Sequence, residues 1–134
     1  MTNSWPPIDR DAKSGEFFDA ADDDLLLLKI CDLCTHAVAP EAQVCTGCRG
    51  TRLSWTPASG AGVLVSWTVV HRAPNRAYTD LVPYTVGIVE LSEGPWLYAR
   101  IVTNEPRCGA ALNVEFVHPE DGESYPIFVE AVSQ

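Results

Sequence analysis

Cys31 and Cys34, separated by ten residues from Cys45 and Cys48, constrain this chain more than any other feature. Two C-x-x-C pairs at that distance bring four thiolates around one tetrahedral metal, and zinc suits four soft sulfur ligands without redox chemistry. Each pair can wrap a tight turn whose amides point at the sulfurs. Gly47 within the second pair and Gly50 after it suit such a turn, because glycine accepts backbone conformations that other residues resist. The first pair is followed by Thr35 and His36 and has no glycine. Four filled sulfur positions leave none open for substrate, so the expected site is structural. Iron held by the same four sulfurs is the alternative metal. A redox dithiol needs one such pair rather than two, and disulfides need an oxidising compartment. His36 is a further candidate ligand, with a capping or surface role preferred. Cys108 lies far from both pairs and reads as a free thiol in a turn.

With 134 residues, 46% hydrophobic and 20% charged, the chain fits one globular domain or two small ones that share a core. The aliphatic run at 25–28 falls far short of the ~20 apolar residues that span a bilayer. The first residues show no basic stretch followed by an apolar one, so a cytoplasmic location is expected. The formal net charge is −9 and unevenly spread. Residues 1–28 hold seven acids and two bases, 29–107 six acids and seven bases, and 108–134 five acids and no base. Nucleic-acid affinity comes largely from Lys and Arg at phosphates, so the field of the whole chain opposes that role.

The pattern divides the chain into an arm and short helix (1–24), a zinc ribbon (25–58) and a barrel (59–134). Residues 1–13, polar and Pro-containing, are expected to be a mobile arm. Ser14 can cap a helix over 14–21, with Phe17, Phe18 and Ala21 near one face, and the acids at 22–24 end it as a solvated cluster. Strands are expected at 25–30 and 51–56 on either side of the cysteines. This ribbon is too small to fold on apolar burial alone, so metal would supply much of its stability. Further strands are expected at 62–72, 84–91, 96–103, 112–118 and 124–131. Ser92-Glu93-Gly94-Pro95 and Glu120-Asp121-Gly122 mark turns between them. The fold class is therefore mainly β: a short helix, a zinc ribbon, then a five-stranded OB-type barrel, with a five-stranded sandwich as the alternative.

The chain resembles the acyl-CoA-associated OB-fold proteins that carry a rubredoxin-like zinc ribbon, long catalogued as a domain of unknown function. The resemblance covers residues 14–131. It rests on Leu27-Leu28-Lys29-Ile30-Cys31, on Cys45 to Cys48 with Leu53-Ser54-Trp55, and on the stretches 60–74 and 83–95. It implies a non-catalytic accessory subunit that docks a thiolase-fold enzyme, such as a thiolase, an acyltransferase or a retro-aldolase of steroid side chains, acting on acyl-CoA thioesters. Such enzymes are commonly dimers, which implies two copies of this chain per partner dimer. The helix around Phe17 and Phe18 and the 25–28 segment are expected to bury apolar surface against that partner.

Arg49, Arg52, His71, Arg72 and Arg76 fall in the only stretch that is not acidic. Arginine offers forked donors that match phosphate oxygens, so these five are candidates for contact with the phosphates of a coenzyme A thioester. Surface ion pairing is the plainer reading of the same residues. Trp67, Tyr78, Tyr84, Trp96 and Tyr98 are expected in the core or a protein interface rather than as a base-stacking platform. A single-stranded nucleic-acid-binding module is the alternative function. An independent enzyme has little support, because His36, His71 and His118 are scattered with no nucleophile motif beside them.

Overall fold

The computed structural model describes residues 5–131. The element order is α1 (Gly15–Asp22), β1 (Leu27–Cys31), β2 (Ala37–Val38), β3 (Leu53–Pro57), β4 (Ala61–Val70), β5 (Tyr84–Leu91), β6 (Trp96–Val102), β7 (Ala111–Val117) and β8 (Tyr125–Glu130), with a 3-10 turn at Arg76–Tyr78. Two sheets result: a three-stranded one ordered β2-β1-β3, and a closed barrel ordered β4-β5-β6-β8-β7. All pairings in the barrel are antiparallel except β6 with β8, where Ile101 lies beside Phe128 and Val102 beside Val129. That closure is the five-stranded OB arrangement and excludes the sandwich.

The barrel closes because inward positions alternate along each strand. Leu64, Val89, Leu91, Leu97, Ile101, Leu112 and Phe128 meet inside it. Leu26 and Leu28 join this same cluster, with Phe17 packed against it. The residues expected to cover a partner at 25–28 are thus consumed internally, and Leu25 alone of that run stays exposed. The three residues between β3 and β4 leave the first sheet little freedom to move away from the barrel.

A bulge between Leu64 and Ser66 shifts the register of β4 on β5. Before it, β4 pairs with β7 at Ala61, Gly62 and Val63; beyond it, β4 pairs with β5 alone. Opposite this half of β4, a methyl group on Gly87 would lie 2.7 Å from the Ser66 carbonyl oxygen and 3.0 Å from Leu64 Cδ1. Overpacking of this kind costs about 1–3 kcal/mol. Gly87→Ala is expected to lower the free energy of unfolding in urea by about 2 kcal/mol. An unchanged midpoint would mean that the two strands separate freely there.

Two expectations about the N-terminal region need correction. Ser14 holds the N-cap position of α1, its carbonyl accepting the Phe18 N–H, but its Oγ accepts the Asp11 N–H and makes no side-chain cap bond. The arm, in its described part 5–13, is tied down, and residues 1–4 lie outside the described residues. The Glu123 N–H donates to the Ile8 carbonyl, and Arg10 bridges Asp19 of α1 to Glu123. Trp5 packs edge-on against Tyr84 and Tyr78 and lies under the Arg100 guanidinium. The Arg10 hydrogen bond holds the Glu123 carboxyl below its usual range. A carboxylate held low contributes fully above its ordinary pKa, about 4.3, and loses that contribution as pH falls through its lowered value. Trp5 fluorescence should therefore report release of the arm only below the ordinary glutamate range. Release at neutral pH would show that the Arg10 bridge does not hold it.

Candidate metal centre

The four cysteine sulfurs lie within 4.8 Å of one another, with Cys31 and Cys45 buried and Cys34 and Cys48 exposed. Cys31 Sγ is 3.6 Å from Cys48 Sγ, and Cys34 Sγ is 3.5 Å from Cys45 Sγ. A disulfide needs about 2.05 Å, so no pair is bonded. A zinc–sulfur distance of about 2.3 Å on a tetrahedron places its sulfurs about 3.8 Å apart, so the cluster fits a metal ion.

The two pairs are folded as copies of one turn. The Thr35 N–H donates to the Cys31 carbonyl and the Arg49 N–H to the Cys45 carbonyl, each at 2.9 Å. The Cys31 and Cys45 amides in turn donate to the carbonyls of His36 and Gly50. Left-handed backbone falls at Thr35 (φ 64°) and Arg49 (φ 66°), not at the glycines the sequence offered for it. Gly47 serves through its amide instead, which donates to Cys45 Sγ at 3.3 Å, joined by the Cys48 amide at 3.5 Å. These amides, Cys48 first, bring the Cys45 thiol down to about 6. At Cys34 the His36 amide favours the thiolate, but sharing with Cys45, burial, and the other two sulfurs outweigh it and push the thiol up to about 12. A divalent cation is the group that relieves such crowding of sulfurs, since metal binding expels their protons.

His36 stands outside the cluster and reaches Thr46 Oγ1 at 3.1 Å. Lys29 pins the loop between the pairs, donating to the Ala42 carbonyl at 2.8 Å while lying over Trp55. The apolar support here is slight: Cys31, Val38 and Cys45, with Ala42 and Leu53 against them. Cys108 is exposed and points its thiol at the Val65 carbonyl of the bulge.

The five basic candidates are all exposed, in two groups. Arg49 and Arg52 lie at the cysteine end of the first sheet; His71, Arg72 and Arg76 follow the far end of β4. Among the described residues, no hydrogen bond or ion pair joins the groups. Of the five aromatics, none is buried, which removes the core reading. Tyr78 and Tyr84 pack with Trp5, whereas Trp67, Trp96 and Tyr98 stay exposed.

One constellation was not legible from the sequence. His118 Nε2 lies 2.6 Å from Asp24, and its Nδ1 lies 2.8 Å from Ser124 Oγ, whose hydroxyl donates to Asp22. The acids at 22–24 are thus not simply a solvated cluster. Ser124 is buried, and its Oγ lies between His118 Nδ1 and the Asp22 carboxylate. The set clasps the end of α1 to the β7–β8 connection.

Residues 55–117 match the family described as the ChsH2 C-terminal OB-fold domain. The chain is 29% identical over 132 residues to a probable enoyl-CoA hydratase alpha subunit of Thermomonospora curvata, covering 96% of this chain and 40% of that protein. It is 34% identical over 77 residues to a DUF35 domain-containing scaffold protein of Methanothermobacter thermautotrophicus, covering 57% of each. A like-named scaffold protein of Pyrococcus furiosus is 31% identical over 71 residues, 53% of this chain and 52% of that one. The chain therefore spans about half or less of the length of the curated relatives it matches. Among solved structures, a chain of the Ltp2-ChsH2(DUF35) aldolase superimposes with a TM-score of 0.77 at 26% identity, covering 92% of this chain and 98% of that one. A DUF35-family protein from Sulfolobus solfataricus, of unknown function, shares the fold at a TM-score of 0.58 and 13% identity. No helix of the described residues is long and apolar enough to cross a membrane.

Proposed function

On the premise that residues 55–117 belong to the ChsH2 C-terminal OB-fold family, we propose that this chain is a non-catalytic accessory subunit. It docks and stabilises a thiolase-fold enzyme that acts on acyl-CoA thioesters. The observation that carries this reading is the likeness to the Ltp2-ChsH2(DUF35) aldolase, which spans nearly the whole of that chain. The name of scaffold protein given to archaeal relatives points the same way. Cys31, Cys34, Cys45 and Cys48 hold zinc, which fixes the ribbon sheet as a rigid platform. The bound metal supplies no open coordination position and takes no part in chemistry. Arg49, Arg52, His71, Arg72 and Arg76 are exposed donors for the phosphates of coenzyme A bound by the partner. The working assembly holds two copies of this chain on a partner dimer in the cytoplasm.

The test is affinity purification of the tagged chain from its native host at low salt, with retained proteins identified by mass spectrometry and the intact complex weighed. A stoichiometric thiolase-like enzyme, in a two-to-two complex that loses activity when this chain is stripped away, is the expected result. A zinc-loaded chain that retains no such enzyme overturns the reading. Exposed aromatics on the barrel favour the nucleic-acid alternative, but a charge of −9 opposes it. Retention on single-stranded DNA that falls steeply with salt would revive it.

A further inference from the structure

The outer face of the barrel carries aromatic surface that this chain leaves uncovered. Pairing of β4, β5 and β6 aligns three rows on it: Val63, Glu90 and Trp96; Ser66, Ile88 and Tyr98; Thr68, Val86 and Arg100. Between Ser66 and Thr68 on one side and Tyr98 and Arg100 on the other runs a mainly apolar groove of about 570 Å³ floored by Val86 and Ile88. Tyr98 is 78% and Trp96 53% exposed, with Val63 and Val102 exposed on the same face. Large apolar side chains gathered on one patch, rather than scattered, mark an interaction site.

Arg100 says what kind of partner fits. The guanidinium rests 4.2 Å above the Trp5 ring, and its Nε is shielded from solvent without a hydrogen-bond partner. Among the described residues Arg100 makes no ion pair, although the chain has eighteen acids. A cation set among aromatics with no carboxylate of its own calls for one from outside. The edge of β4 adds a second demand. Beyond the bulge, residues 66–70 pair with β5 on one side and, among the described residues, with no strand on the other. An open edge suits polypeptide backbone. A second copy of this chain is disfavoured, because two molecules at −9 repel.

We propose that this β4–β6 face, centred on Tyr98 and Arg100, is the surface on which the partner enzyme docks, with a partner carboxylate flanked by apolar side chains seated on Arg100. The proposal rests on the accessory-subunit reading and deepens it. It places the contact on the barrel, away from the helix and from the 25–28 segment, where the chain buries Leu26, Leu27 and Leu28 itself.

The experiment uses the full-length, metal-loaded chain co-expressed with the acyl-CoA enzyme identified by the purification above. Tyr98→Lys and Arg100→Ala are compared with Glu120→Ala on the far connection. Metal content and melting temperature are measured for each, so that a folding defect is seen directly. Tyr98 projects into solvent, so its substitution leaves the fold intact even if loss of Arg100 disturbs Trp5. Recovery of the enzyme should fall at least tenfold for Tyr98→Lys and Arg100→Ala and stay unchanged for Glu120→Ala. In the Arg100→Ala complex, affinity should also depend less steeply on salt. If the wild type retains the enzyme and Tyr98→Lys and Arg100→Ala retain it equally, the docking face is overturned while the accessory reading stands. If the wild type retains no acyl-CoA enzyme, both fall. A wild-type chain that self-associates through Tyr98 in sedimentation, with the enzyme bound elsewhere, assigns the face to a second copy and also overturns the proposal.

Discussion

Cys45→Ser is expected to strip the chain of metal and unfold its first sheet. Cys45 is buried, and the amides of Gly47 and Cys48 converge on its sulfur. A serine hydroxyl keeps the size but not the soft anionic donor that completes the tetrahedron. The sheet has little else to hold it. Its private apolar cluster is a handful of residues, two of them the candidate ligands Cys31 and Cys45. In small metal-folded peptides, structural zinc contributes about 10–16 kcal/mol, far more than such a cluster supplies. Elemental analysis should show metal falling from stoichiometric to background. Hydrogen exchange should show the amides of β1 and β3 losing protection, and a strong chelator added to the wild type should reproduce both effects. Retained protection in metal-free protein would mean that the sheet stands on its packing alone.

Phe128→Ala is expected to destabilise the barrel by about 3–5 kcal/mol, the range for removing a buried aromatic ring. Phe128 has no exposed surface and sits where the barrel closes. On one side it pairs with Ile101 in the parallel contact of β6 and β8; on the other it pairs with Val114 of β7. The parallel contact is short, so the ring's packing inside the barrel carries much of the closure. Denaturant unfolding should show the loss as an earlier midpoint. Phe128→Leu should recover most of it, because a leucine refills part of the cavity. A shift below about 1 kcal/mol would mean that the neighbours collapse into the space.

Much of this architecture was legible because it is local. The cysteine spacing located the four-sulfur cluster, and β5 falls on 84–91 as alternation and flanking turn residues indicated. The other barrel strands end within a residue or two of expectation. β2 escaped notice because two residues, Ala37 and Val38, carry no periodicity. Other features depend on contacts that no spacing announces. Trp5 reaches Arg100 and Tyr84 across most of the chain, which is why a Pro-containing arm read as mobile. Asp24 and Asp22 meet His118 and Ser124 over sequence separations of 94 and 102 residues. The left-handed positions at Thr35 and Arg49 likewise follow from the hydrogen-bond ring around each cysteine pair, not from residue preference. The core alternative for the aromatics failed for a related reason: strand alternation says which residues share a face, not whether anything covers that face.

The inclusion of Leu26 and Leu28 in the barrel's own cluster couples the two sheets thermodynamically. Both flank or lie in β1, the strand that runs directly into Cys31. A ligand that binds only the folded state stabilises whatever folds with its site, by an amount that grows with the logarithm of its free concentration. With a metal held by the four cysteines, melting of the barrel would therefore gauge metal supply. Loss of the first sheet would withdraw Leu26 and Leu28 from the barrel's core and leave a barrel that melts earlier.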